Sequence, residues 1–498
     1  MELQFETKMM PCLRRNLWQV QDREQTQELR LPEELPDIGS VIAARGQCVV
    51  RSKEWLGESV GVSGGVTVWV LYAPADGSAP RSVEAWVPVQ GKWNLPKTRR
   101  EGVIRADMRL KSADARTTSA RKMMIRVQVS MLSEVLEPWE AEVAVPPVVQ
   151  QDVQLLRRTY PTVLPREAGE QVFYLEEELP FAAGVQMPER IVYATGEALV
   201  REQKVVGSRV VFRGDVRLHL LCAGGDGQWF PVDMEAPFSQ FSDLDNDYDK
   251  EATVETVLVL TNLEPELAEG ALRLKCGLLA QYVICQNRLV EIVEDGYSPN
   301  REISLTCGQL ELPAVLDSCA DHLRAEAILN GADGRIVDSW VCGAHPNVQR
   351  AGELAQLNME GTAGALYRDG EGNLRGSVSP WSQSWELAAG ENVEVQGRLC
   401  ELSTAGAVPE GDGACVRVEM EVLARMTAAE PMTMVTGLEI GEEKPADANR
   451  PSLILRRCAG QSLWEMAKSC GSTVEAICRA NGISAEPLED RVLLIPVS

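Results

Sequence analysis

Two stretches of this chain, 150 residues apart, carry the same glycines in the same places. Residues 44–77 read ARGQCVVRSKEWLGESVGVSGGVTVWVLYAPADG, and residues 194–227 read ATGEALVREQKVVGSRVVFRGDVRLHLLCAGGDG. They align without a gap, so that Gly46 meets Gly196, Gly57 meets Gly207, Gly64 meets Gly214, and Asp76-Gly77 meets Asp226-Gly227. A more divergent stretch, GELAQLNMEGTAGALYRDGEGN, aligns at an offset of 295 and puts Gly352 on Gly57, Tyr367 on Tyr72 and Gly372 on Gly77. Self-similarity of this kind means one supersecondary unit built several times. The tripeptide Glu-Leu-Pro recurs at 34–36, 178–180 and 311–313, and we read it as opening each copy.

Within the copies, Val66-Val68-Val70 and Val216-Leu218-Leu220 alternate with Thr, Trp, Arg and His, the period of two that buries one sheet face. Asp-Gly after such a run is a hairpin signal, because glycine accepts positive φ at no steric cost. Further alternating runs follow at 124–129, 253–260, 271–279, 393–399 and 414–422. The fold class expected is mainly β: three tandem antiparallel repeats of roughly 110 residues each, sandwich or partly closed barrel, then a small βααβ domain. The boundaries expected are an N-terminal segment at 1–30, repeats at 31–145, 172–297 and 308–427, a linker at 428–451 and the small domain at 452–498. The charged, Pro/Gly-bearing end of 428–451, GLEIGEEKPADANRP, suggests the linker.

A net charge of -24 with no Lys/Arg-rich run leaves no source for the phosphate neutralisation that nucleic-acid binding requires. No apolar run approaches the roughly 18 residues of a membrane helix. The first residues, MELQFETKMMPCLRRNLWQVQ, have no apolar core of a secretory signal, so a cytoplasmic location is expected. Thirteen cysteines without a C-x-x-C fit reduced, mostly buried thiols.

The C-terminal module follows a different logic. SLILRRC is a short strand, and Ser462-Leu-Trp-Glu465 is a capping box that starts a helix ending at Gly471. Ser472-Thr-Val-Glu475 reads as a second box, Asn481-Gly482 ends its helix, and residues 491–496 form a second strand. Residues 452–498 hold five bases and five acids, a neutral tip on an acidic body.

This order, with G-x-S-L-W, N-G-I and V-L-L-I-P at these spacings, resembles a LysM domain over nearly all of residues 453–496. The resemblance implies a shallow groove for N-acetylglucosamine-containing glycan, here Gly460, Gln461, Ser462, Leu463, Asn481, Gly482 and Ile483. Gln461 stands where that family usually has Asp, and Leu455 where it usually has Tyr. The run from Leu29 through Tyr72, Pro-Phe-Ser-Gln at 237–240 and Asp-Gly-Tyr-Ser-Pro at 295–299 resemble the SPOCS (spore coat) domain of endospore formers. Three such copies before a LysM domain are similar to the SipL-like spore coat morphogenetic proteins. That resemblance implies a non-enzymatic scaffold in the mother cell at the forespore surface, docked through its LysM domain on the coat's basement-layer ATPase and meeting other coat proteins. The alternative is a cell-envelope protein that binds peptidoglycan directly. The expected body is acidic and extended.

No catalytic residue, metal ligand or cofactor is assigned. His219, His322 and His345 are far apart in sequence, with His219 in an outward slot of its strand. Gly61-Val-Ser63-Gly64 aligns on a turn and is no nucleophile elbow, and Gly370-Glu-Gly372 lacks a dinucleotide loop's context. The acidic run at 243–251 lacks the glycine and terminal Glu of an EF-hand and reads as a solvated loop.

Overall fold

The computed structural model describes residues 2–95, 101–148, 152–182, 184, 186–445, 451–458, 460–484 and 491–497. Strands dominate, all sheets pair antiparallel, and among the described residues no sheet closes into a barrel. The N-terminal stretch supplies β1 (Glu2–Gln4), β2 (Glu6–Arg30), β3 (Ile38–Trp55), β4 (Ser59–Pro74), β5 (Arg81–Asn94), β6 (Val103–Ser119) and β7 (Lys122–Val145). Then come β8 (Gln154–Pro180), β9 (Arg190–Ala223), β10 (Trp229–Tyr248), β11 (Thr253–Ala268), β12 (Ala271–Tyr297) and β13 (Arg301–Leu310). The third stretch supplies β14 (Val315–Asn330), β15 (Arg335–Gly343), β16 (Asn347–Ala351), β17 (Leu354–Arg368), β18 (Leu374–Ala388), β19 (Val393–Glu410) and β20 (Gly413–Ala428). It is followed by β21 (Met432–Glu443), β22 (Leu453–Arg457), helices α1 (Leu463–Cys470) and α2 (Val474–Asn481), and β23 (Val492–Pro496).

One arrangement recurs three times. A long strand pairs with the last strand of its unit, which pairs with the one before it: β2-β7-β6, β8-β12-β11 and β14-β20-β19. The strands between form a second sheet, β3-β4-β5, β9-β10, and β17 with β15, β16 and β18. In the second unit one long strand does the work of two: β9 doubles back at Gly207, where φ is 62°. Gly57 and Gly352 take the same left-handed conformation at the β3–β4 and β16–β17 turns, with φ of 68° and 63°. Gly64 and Gly214 share a different constraint. A side chain there would run into the carbonyl of Val49 or Leu199, residues that are themselves 150 apart.

The alternation read from the sequence buries Val66, Val68 and Val70 completely. In the second unit Phe173 of β8 packs between Phe212 and Phe238 at 5.9 and 5.5 Å, joining the two layers.

Four boundaries differ from expectation. Residues 6–30 are no separate segment: β2 pairs along β7 from Glu6 opposite Val145 to Arg30 opposite Lys122. Its side chains are half-buried or exposed, with only Cys12 buried, and no apolar stripe marks its sequence. The Glu-Leu-Pro tripeptides are not equivalent, since the first follows β2, the second ends β8 and the third precedes β14. Half of the expected linker is β21, which pairs with β13 and β1 and buries Met434, Val435, Leu438 and Ile440. The charges after Glu443 hid this strand; residues 446–450 of the expected linker lie outside the described residues. Finally, the run at 243–251 is largely strand, because β10 continues to Tyr248 and Glu167 accepts from Asn246 and Tyr248 at 3.0 Å each.

The body is not extended either. Trp340, Cys342 and Leu366 of the third unit, and Val192, Tyr193 and Val259 of the second, belong to one apolar cluster with β4 and β7 of the first.

Candidate binding groove and the contacts that position it

The C-terminal module forms because two short helices are capped tightly enough to stand on a two-stranded sheet. Ser462 Oγ accepts from the Glu465 amide (3.2 Å) while Glu465 takes the Ser462 amide (3.0 Å), a complete capping box. Gly471 and Gly482 close the helices with φ of 64° and 63°. The second box does not form: the cap is Thr473, and the residue three further on is Ala476, which has no polar side chain to reach back. Thr473, not Ser472, accepts from the Ala476 amide at 3.1 Å, and the Ser472 hydroxyl is buried without a hydrogen bond.

The seven residues assigned to the groove have different duties. Gly460, Gln461 and Gly482 are exposed, and Ser462 is engaged as a cap. Leu463 is buried with Met466, Ala467, Ile477, Leu493 and Ile495, and Ile483 packs half-buried on the same cluster. Asn481 is structural. Its Nδ2 donates to the carbonyls of Ile477 (2.8 Å) and Leu494 (2.6 Å), and its Oδ1 accepts from the Leu494 amide (2.8 Å). Leu463 and Ile483 are thus brought together through the module's core, whereas Gly460, Gln461 and Gly482 offer surface.

What sequence reasoning missed is how the module is held. Asp295, at the end of β12, accepts from Trp464 Nε1 (2.8 Å), and both its oxygens take Lys468 Nζ (2.8 and 2.7 Å). Burial opposes ionisation of Asp295, but Lys468, Trp464 and the Gly296 amide hold its pKa below the usual value. Tyr297 donates to the Ser472 carbonyl (2.9 Å) and meets the Trp464 ring edge-on at 4.8 Å. Burial, and then the Asp295 charge, push the Tyr297 pKa up to about 12. The Asp-Gly-Tyr-Ser-Pro motif was the available signal, yet nothing in its residues names α1 as the contact.

A second missed constellation lies where the three units meet. Glu134 of β7 accepts from Arg15 Nε (2.8 Å) and Arg105 (2.7 Å) and faces Arg425 at 3.9 Å. Arg105 also reaches Glu255 of the second unit (3.1 Å), which pairs with Arg398 and Arg425 of the third. Burial would raise the Glu134 pKa; Arg105, Arg15, Arg425 and Arg398 prevail and hold it at about 2. Gln281 of β12 gives and takes one 2.8 Å hydrogen bond with the backbone of Ala106, as a neighbouring strand would.

His219 is not outward in the whole molecule. Asp233 lies 2.6 Å from its Nδ1 and Asp338, in the third unit, 3.0 Å from its Nε2. Burial lowers its pKa, but the two carboxylates raise it to about 9. Among the described residues, no group of three or more His, Cys, Asp or Glu side chains is arranged to hold a metal ion, and no helix is long and apolar enough to cross a membrane.

Comparison with protein-family models, curated proteins and solved structures finds no match for this chain.

Proposed function

We propose that this chain is a non-enzymatic scaffold of spore-envelope assembly, in which three SPOCS-like tandem repeats form the body and a LysM-like module docks it to the coat's basement-layer ATPase at the forespore surface. The observation that carries the reading is the module's orientation. Its α1 side is taken by Asp295 and Tyr297, while Gly460, Gln461 and Gly482 remain exposed on the loops the LysM resemblance assigns to binding. The recurring strand order supports the repeats, as do left-handed glycines at 57, 207 and 352. A firm body with one neutral, outward tip is what a scaffold needs to meet a partner in a fixed pose.

The test is localisation of the tagged full-length chain in sporulating cells, beside a pull-down with the coat ATPase. Wild type should surround the forespore and bind the ATPase, and a folded Gln461→Arg/Ile483→Asp variant should do neither. Failure of the wild type to reach the forespore sinks the scaffold reading. Sedimentation with purified peptidoglycan and indifference to the ATPase would instead establish the peptidoglycan-binding alternative.

A further inference from the structure

At the junction of the three units lies a cavity of about 380 Å³. It is at the small end of the range for ligand pockets. Its walls come from β3, β6, β9, β10, β11, β15 and β19, so no single unit contains it. The lining mixes charges with apolar residues such as Met234, Val259 and Leu260.

The carboxylates of the lining already have cations. Asp107 lies 3.5 Å from Arg109, and Glu197 lies 3.2 Å from the same guanidinium. Asp233 holds His219 at 2.6 Å, and Glu235 lies 3.7 Å from Arg217. Arg45 is the exception. It is 5% exposed, no carboxylate among the described residues forms an ion pair with it, and its Nε has no hydrogen-bond partner. Its guanidinium lies over the rings of Trp340 (4.8 Å) and Tyr193 (5.2 Å), with the Tyr193 hydroxyl as a hydrogen-bonding neighbour and a long 3.8 Å contact to the Cys342 sulfur.

Burial disfavours the Arg45 charge, but the surrounding Tyr193, Cys342 and Asp338 raise its pKa, Asp338 being the one of the three that is ionised at neutral pH. Tyr193 and Cys342 both have pKa values raised by burial, so neither is an anion at neutral pH. The third, Asp338, is engaged by His219 and by the Tyr193 hydroxyl. A buried guanidinium that lines a cavity and shares its nearest carboxylate, Asp338, with His219 is under-compensated unless something completes it. With Arg109, His219 and Arg217 already set against the four carboxylates of the lining, Arg45 leaves room for one added negative charge and not two.

We propose that this cavity binds a small monoanionic organic acid, its carboxylate taking the free side of Arg45 and its apolar body lying against Val259 and Leu260. Bound there, the ligand touches all three units and braces them against one another. This site is independent of the C-terminal groove, so either can fail without the other.

The experiment uses the full-length chain at neutral pH and constant ionic strength, with benzoate as probe and chloride and inorganic phosphate as controls. Benzoate at millimolar concentration should raise the melting temperature by a few degrees in a saturable way, and the controls should not. Arg45→Met should abolish the response while the free protein melts no lower than wild type, because the unpaired charge is gone. Should that variant fail to fold, Arg45 is a structural stitch and the proposal falls. As a second readout, the fluorine NMR line of 4-trifluoromethylbenzoate should broaden with wild type and sharpen on adding benzoate. No shift with benzoate, an equal shift in Arg45→Met, or a phosphate effect matching that of benzoate overturns the assignment.

Discussion

The junction between the units and the seam under the C-terminal module each centre on a carboxylate, yet they are built to different strengths. Glu134 is 2% exposed and surrounded by several guanidiniums, so it is locked in by the same low-dielectric setting that makes it expensive to desolvate. Asp295 is half-exposed and holds one lysine and one indole. The contrast teaches that the chain should open in order: the module lifts from the body long before the units part.

The largest effect expected is at the junction. Replacing Glu134 with Gln keeps its shape but strands Arg15, Arg105 and Arg425 without their shared counter-charge. Breaking a buried pair by removing one partner costs about 3–5 kcal/mol. Urea unfolding of Glu134→Gln should show a loss in that range with all β signals melting together, and a loss below about 1 kcal/mol would put the junction on a par with the seam.

That junction also shows where the sequence stops being legible. The capping box at Ser462 and the turn glycines at 57 and 207 were readable because their signals are local: a hydroxyl three residues from a Glu, or a residue without a Cβ. The strands of β4 were readable because one face is fully apolar. Strand β2 was not, since it covers a sheet edge with Trp18, Arg15 and other half-buried side chains instead of an apolar stripe. Arg105, Glu255 and Arg425 are invisible for a further reason. Each sits in an ordinary alternating run, and only packing of three units supplies the partners that make burial tolerable. At the candidate groove, Asn481 looked like a helix end free to bind; its three bonds to Ile477 and Leu494 depend on a strand met only in the fold.

Acidity should sharpen the same comparison with a smaller effect. His345 is buried in the third unit at 3.4 Å from Asp107 of the first, and desolvation pushes its pKa down to about 4, with Asp107 opposing and Arg109 and Arg398 assisting. An unfolded histidine titrates near 6.5, so below that pH the unfolded chain binds the extra proton and the fold loses stability as pH falls from about 6.5 through about 4. The total is about 3 kcal/mol. His219 has the opposite sign, since its contribution is full below about 6.5 and lost as pH rises through about 9. The melting temperature should therefore peak near neutrality. His345→Gln should flatten the limb between pH 6.5 and 4 and leave the alkaline limb intact; an unchanged acid limb would remove His345 from the account.

The smallest effect belongs to the seam. A partly exposed ion pair contributes about 0–1 kcal/mol, so Asp295→Asn should leave the global unfolding midpoint nearly unmoved. It should nevertheless raise hydrogen exchange in α1 and speed protease cutting between β21 and β22. If exchange in α1 stays at the wild-type level, Tyr297 and Trp464 hold the module without the charge.

The pairing of β1 and β13 on either side of β21 has a consequence in time. Glu2–Gln4 lie opposite residues 437–439, so β1 must wait for the body that follows it to be synthesised before it finds its neighbour. At roughly 5–20 residues per second that wait is on the order of a minute. Throughout it β1, and in its later part β13, lack the strand that pairs them and leave backbone amides open to other chains. The glutamate at position 2 and the shortness of β1 are features of the kind that discourage such an edge from pairing with another nascent copy.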